Sequence, residues 1–212
     1  MPQNLFYYNV DTCNSLYFCR MNSFNVLQQV IRTRRSIKPA LMNGKKIDDS
    51  VIQQLLELAD WAPTHGYTEP WRFIVYGDNA LQQFCADHAE MYKEVSPADK
   101  FNNAKYEKLK HTADKLSHLI AVYMKRANNS KIPVLEEISA VAVAIQNILL
   151  GANALGIASM WSTGGLTHHP AMKTYFSLKD DDIIMGLLHL GYTDEIREGK
   201  RMMPLAEKVI WK

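Results

Sequence analysis

The stretch Arg32-Thr-Arg-Arg-Ser-Ile-Lys38 places four cations within seven residues of a 212-residue chain whose formal net charge is only +2. Arginine forks present fixed pairs of N–H donors that match phosphate oxygens, and the Ser36 hydroxyl adds a neutral donor among them. Holding a phosphate-type anion is therefore chemistry this stretch can do. Cations in the last turn of a helix are also stabilised by its dipole, so a structural cap made of Arg32, Arg34 and Arg35 is the equally simple alternative. The balanced charge elsewhere supplies no basic face for a nucleic acid or an anionic membrane, and neither partner is expected.

Two more stretches carry possible binding groups. Trp61-Ala-Pro-Thr-His-Gly-Tyr-Thr-Glu-Pro-Trp71 is a turn-rich loop stiffened by Pro63 and Pro70, with His65, Tyr67 and Glu69 set between aromatic walls. It reads as a rigid binding loop or as a packed connector. Ser159-Met-Trp-Ser-Thr-Gly-Gly165 runs into paired glycines, which allow close approach to exposed backbone N–H groups or simply make a turn. His168 and His169 lack carboxylate or cysteine neighbours at ligand spacing, so no metal site is expected. Gly151-Ala-Asn-Ala-Leu-Gly156 follows a helix, not a strand, and reads as packing rather than a dinucleotide fingerprint.

Positioning these groups requires alternating helices and strands. Val26, Leu27, Val30 and Ile31 recur at helical spacing after a start at Asn22-Ser23. A second helix starts at Asp48-Asp49-Ser50 and stops before Pro63. Trp71–Tyr76, Leu119–Met124, Ala158–Trp161 and Ile183–Tyr192 read as strands. Leu81, Phe84, Cys85 and His88 mark a third helix, Pro133 to Gly156 brackets a long central one, and Pro170–Phe176 a short one. Lys93–Lys115 is highly charged and poorly periodic and reads as a solvated excursion. The irregular spacing of the strands predicts an α+β layered domain, a sheet between helices, over residues 21–212. Residues 1–20 show no period and read as an extension.

Hydrophobic residues make up 47% of the chain, enough for one sizeable core. Ile138–Trp161 is apolar and long enough to cross a bilayer, but Gln146, Asn147 and Asn153 in its middle favour a buried core helix. The alanine-rich face of that helix exceeds what one small domain covers and predicts a homodimer. Three cysteines, Cys13, Cys19 and Cys85, form no even framework, and the opening residues show no charged-then-apolar leader, so a cytoplasmic location is expected.

In this order and at these separations, the three stretches resemble the nitroreductase family of FMN-dependent oxidoreductases, in its compact Arg-Arg-Ser branch. Arg34-Arg35-Ser36 follows the first helix, Ala62-Pro63-Thr64-His65 to Glu69-Pro70-Trp71 matches the family's loop into a strand, Trp161-Ser-Thr-Gly164 follows the strand after the long helix, and Arg201 precedes Pro204. The resemblance implies a three-layer fold with a mixed or antiparallel central sheet. It implies FMN phosphate and ribityl contacts from Arg34 and Ser36, with Arg35 beside them and Arg201 or Lys200 closing the anion site. Lys38 would face the flavin pyrimidine edge, and Trp161, Ser162, Thr163 and Gly164 would lie along the ring with an N–H near Thr163 facing N5. His65 and Trp61 would reach the flavin held mainly by the other subunit.

The implied reaction is ping-pong hydride transfer through flavin N5, from NADH or NADPH to a nitroaromatic, quinone or similar small acceptor, with no catalytic side chain required. Other FMN chemistry on the same scaffold (dehalogenation, dehydrogenation, flavin fragmentation) is the alternative, followed by a non-enzymatic phosphate-ligand or RNA-binding module. Tyr67 stands where many members have Asn, and Glu69 where they have Gln.

Overall fold

The computed structural model describes residues 13–128 and 131–212, with side chains from residue 22 onward. The chain forms two compact units that divide between Thr33 and Arg34. The first unit contains helix α1, Cys13–Thr33, which begins ahead of the expected Asn22-Ser23 start. Its last turn carries Arg32, and Thr33 Oγ1 donates to the Gln29 carbonyl at 2.8 Å. The expectation of an extension over residues 1–20 lies mostly outside the described residues.

In the second unit, helices α2 (Asp49–Asp60), α3 (Asp78–Val95), α4 (Asn103–Lys110), α5 (Val134–Ala154) and α6 (Pro170–Tyr175) surround four strands. These are β1 (Trp71–Gly77), β2 (His118–Met124), β3 (Ala158–Ser162) and β4 (Ile183–Gly191), in the order β1-β2-β4-β3 with every neighbouring pair antiparallel. The sheet becomes mixed at its β3 edge, where Ser36 bridges Ser159 in parallel.

Period-two alternation in the central strands feeds two cores. Ile120 and Val122 of β2, with Leu188 and Leu190 of β4, pack under α2 and α5 through Ile52, Leu55, Val141, Ile145 and Ile148. Leu119, Ala121 and Leu187 point the other way, onto Leu81, Phe84 and Cys85 of α3 and Met172 of α6. The result is the expected three-layer α+β arrangement.

The central helix is the expected core helix, long and apolar enough to cross a membrane but laid along the sheet. Gly151 lets it approach α2 closely: a Cβ there would sit 2.6 Å from Leu58 Cδ1 and 2.9 Å from Leu55 Cδ2. Gly156, at φ +70°, ends it in the left-handed conformation that closes helices. The glycine pair therefore serves packing and termination.

One expectation is refined. Lys93–Lys115 is solvated, but it is regularly structured: α3 continues to Val95, α4 follows with no buried residue, and Tyr92 stacks on Phe101 at 5.7 Å between ring centres. Lys105 Nζ lies 4.3 Å above the Tyr92 ring, and Ala113 is buried. Charged residues cover this aromatic seam from outside, which hides its period.

Candidate functional site

The basic stretch divides at the end of α1. Arg32 lies in the last helical turn, whereas Arg34, Arg35, Ser36 and Lys38 fall beyond it, so the dipole-cap reading applies to Arg32 only. The Ile37 N–H donates to the Ser159 carbonyl at 2.9 Å, which lays this extended segment along the start of β3. Alternation then sorts the side chains. Ile37 is buried in the α3-side core; Ser36 and Lys38 are exposed and Arg34 is half-buried.

Arg35 has a different task from Arg34. Its Nε donates to the Arg197 carbonyl at 3.1 Å and its Nη1 to the Arg34 carbonyl at 2.8 Å. A Cβ on Gly199 would sit 2.4 Å from Arg35 Cζ, so the 197–199 segment rests directly on the guanidinium. Arg201, two residues on, is exposed, with Nη1 donating to the Lys200 carbonyl at 3.2 Å. Among the described residues the Arg34 guanidinium and the Lys38 ammonium have neither an ion-pair nor a hydrogen-bond partner in the protein. A half-buried arginine left uncompensated beside a serine hydroxyl and a lysine is a donor set suited to a phosphate.

The strand that this segment joins leads into the glycine loop. Trp161 Nε1 donates to the Met185 carbonyl at 2.8 Å, fixing the indole across β4. Beyond it Thr163, Gly164 and Gly165 are exposed, and the nearest atom to a Cβ on Gly164 would be Ser162 Oγ at 3.8 Å, so the loop's surface is open to a flat group. The loop is held from beneath. Thr167 Oγ1, fully buried, donates to the Gly164 carbonyl at 2.7 Å, and His88 Nε2 accepts from the Leu166 N–H at 3.5 Å. Burial pushes His88 down to about 4, with the neighbouring His189 and Lys105 adding to it. The ring is therefore neutral and able to accept.

Three of the expected groups thus converge: Arg34–Lys38, Trp161–Gly164 and the 197–201 segment. His65 and Trp61 do not join them. Their loop enters β1 at the opposite edge of the sheet, three strand spacings or roughly 14 Å away. Trp61 is 87% exposed at the end of α2, where a cleft of about 410 Å³ is lined by Gln53, Glu57, Asp60, Glu69 and Arg72. His65 Nδ1 meets Glu136 Oε2 of α5 at 2.5 Å. Tyr67 and Glu69 adopt φ of 54° and 41°, a left-handed backbone costly for such residues and retained mainly where surroundings enforce it.

Glu136, His88 and Thr167 were not marked as site residues by the sequence. The acidic first turn of α5 signals only a helix start, and nothing local ties it to a loop 71 residues earlier. His169 accepts the Ala171 N–H at 3.1 Å as the cap of α6, a turn residue as expected. Among the described residues no group of three His, Cys, Asp or Glu side chains could hold a metal ion.

Residues 31–192 match the family model described as Nitroreductase family. The chain is 26% identical to a Bacillus subtilis protein named a candidate NAD(P)H nitroreductase, YfhC, over 89% of this chain and 95% of that one. A nitroreductase-like family protein from Bacillus cereus superposes with a TM-score of 0.77 at 27% identity, covering 88% of this chain and 95% of its own. A structure from Desulfovibrio desulfuricans described as a complex with FMN has the same fold, with a TM-score of 0.66 at 22% identity over 88% of this chain and 96% of that one.

Proposed function

The chain belongs to the nitroreductase family, and from that premise we propose that it is an FMN-dependent NAD(P)H oxidoreductase, a cytoplasmic homodimer that reduces nitroaromatics, quinones or similar small acceptors. The observation that carries this reading is Arg34: a half-buried guanidinium without a partner among the described residues, in line with Ser36 and Lys38 and beside an open glycine loop. That donor set fits the FMN phosphate, with Arg201 or Lys200 closing the anion site. Arg35 serves it indirectly by seating the 197–199 segment.

When bound, FMN would supply the hydride chemistry for a ping-pong exchange between NAD(P)H and the acceptor. The chain's own groups tune that exchange. Lys38 would set a positive charge at the pyrimidine edge, which would favour the electron-rich form of the ring. The Thr163 backbone N–H would offer a donor to the ring edge that bears N5, on a loop held by Thr167 and His88, while the Gly164 N–H donates to Ser162 Oγ at 3.4 Å. Trp161, fixed by its bond to Met185, and Ser162 form the floor beneath.

His65 and Trp61 reach a flavin only across a second copy, because their loop and the arginine segment occupy opposite edges of the sheet. Exposed apolar side chains, among them Leu135 on α5 and Ile196, Ile210 and Trp211 near the C-terminus, supply surface for that association.

An absorbance spectrum tests the reading. The purified protein is expected to be yellow, to bleach with NAD(P)H and to recover in air or with a quinone, and to elute as a dimer by light scattering. A colourless protein that takes up no FMN in a titration rejects it.

A further inference from the structure

We infer that His88 is an acid-operated catch on the glycine loop: while its Nε2 is an acceptor it holds the loop down, and a proton on that nitrogen releases it. The catch acts on the loop itself, whichever ligand the site takes.

It is made from the loop's backbone and one ring beneath it. The Leu166 N–H donates to His88 Nε2 at 3.5 Å. Gly165, at φ +68°, lies so close over the imidazole that a Cβ would stand 3.2 Å from Nε2 and 3.4 Å from Cε1. Thr167 Oγ1 ties down the same turn through the Gly164 carbonyl. His88 and Thr167 are buried, whereas Thr163, Gly164 and Gly165 above them are exposed.

Because Nε2 accepts, the hydrogen of the neutral ring sits on Nδ1. Protonation adds an N–H at Nε2, and that bond then points at the Leu166 N–H with no acceptor between them. Nothing around the ring balances its charge. His189 of β4 and Lys105 of α4 both oppose a positive charge there. The neighbouring Asp87 carboxylate is engaged by the Tyr175 hydroxyl of α6 at 2.9 Å and the Gln83 amide at 2.7 Å. Phe84 lies against the imidazole at 5.8 Å between ring centres, with Tyr76 of β1 stacked on Phe84 in turn. Water is the partner that remains, and it reaches Nε2 when residues 163–166 lift.

The closed loop holds His88 down to about 4, chiefly by burial, whereas an exposed ring titrates near 6.5. The closed form is therefore favoured in full above about pH 6.5 and loses that advantage as pH falls towards 4. Between pH 7.5 and pH 5 the ratio of open to closed loop rises by about 30-fold. Lifting takes the exposed Thr163–Gly164 face away from Arg34–Lys38, so acid dismantles the candidate site by a local opening.

Hydrogen exchange of the full chain, followed by NMR and corrected for the intrinsic pH dependence of exchange, tests the catch. Protection of the Leu166 N–H is expected to fall by about 30-fold from pH 7.5 to pH 5 and to stay below that of the β2 amides at both values. His88→Gln keeps an acceptor for Leu166 but takes up no proton, so its protection should change by less than about threefold. Long-range proton–nitrogen spectra of the parent need no variant and should show His88 with Nδ1 protonated and Nε2 bare at pH 7.5. Leu166 protection that is constant with pH, that equals the β2 amides throughout, or that falls as far in His88→Gln overturns the inference. A hydrogen on Nε2 at pH 7.5 overturns it too.

Discussion

The Trp161 indole occupies the space that a side chain on Gly186 would need: a Cβ there would lie 2.3 Å from Nε1 and 2.9 Å from the Ser162 carbonyl. Gly186 also has φ +146°, a conformation that other residues rarely adopt. Gly186→Ala is therefore expected to cost about 1–3 kcal/mol by urea unfolding and to weaken FMN binding, because the displaced indole carries the end of β3 with it. Trp161→Phe removes the bond to the Met185 carbonyl together with part of the indole's packing against the core and should cost about 1–3 kcal/mol.

Three neighbouring arginines are expected to behave differently. Arg34→Ala removes charge-assisted bonds to the phosphate and should lower FMN affinity by about 10- to 100-fold in a fluorescence titration. Arg32→Ala, within α1, should change it far less. Arg35→Ala should free the 197–199 segment, seen first as faster proteolysis there and only secondarily as lost FMN. Equal affinity losses for Arg32 and Arg34 would reject the assignment of the phosphate site.

These contrasts show which parts of the structure were legible in the sequence. The Asp48 cap, which accepts the Ser50 N–H at 2.8 Å, and the Gly156 stop are local signals and fell where read. Apolar, β-branched runs fixed the four strands for the same reason. The aromatic seam of Tyr92 and Phe101 was hidden, because its stability comes from side chains meeting across a connection rather than from helical period. The basic cluster was legible as a group of neighbouring cationic donors. The division of labour between Arg34 and Arg35 was not, since it depends on the bridge from Ser36 to Ser159 and on carbonyls 162 residues away. Thr167 meets the Gly164 carbonyl and Glu136 meets His65 the same way, through contacts that only the folded chain creates.

Two buried rings make stability depend on acid. His88 and His189 are each held down to about 4, chiefly by burial, and His189 Nδ1 has no partner among the described residues. In the unfolded chain both titrate near 6.5, so between these values the unfolded state binds more protons and stability rises with pH. The contribution is complete above about pH 6.5 and is lost as pH falls towards 4, on the order of 3 kcal/mol for each ring. Urea midpoints at pH 7.5 and pH 5 should show the drop, and His189→Leu should flatten it. A parent protein equally stable at both values would show that these rings are not buried and neutral.

The start of α5 depends on a buried ion pair. Arg126 donates to Glu137 Oε2 and, through Nη2, to the Ile132 carbonyl at 2.7 Å, while Glu137 Oε1 accepts the Ala127 N–H at 3.2 Å. The Glu137 side chain is fully buried. Removing one partner strands the other charge away from water, so Glu137→Ala should cost about 3–5 kcal/mol, whereas a double replacement by methionine, which strands none, should cost less than the single change. Glu137 is followed back along the same turn by Glu136, so loosening this anchor should also lengthen the contact to His65. Glu137→Ala is accordingly expected to speed hydrogen exchange in the first turn of α5 at a temperature where it remains folded, and the methionine pair to restore much of that protection.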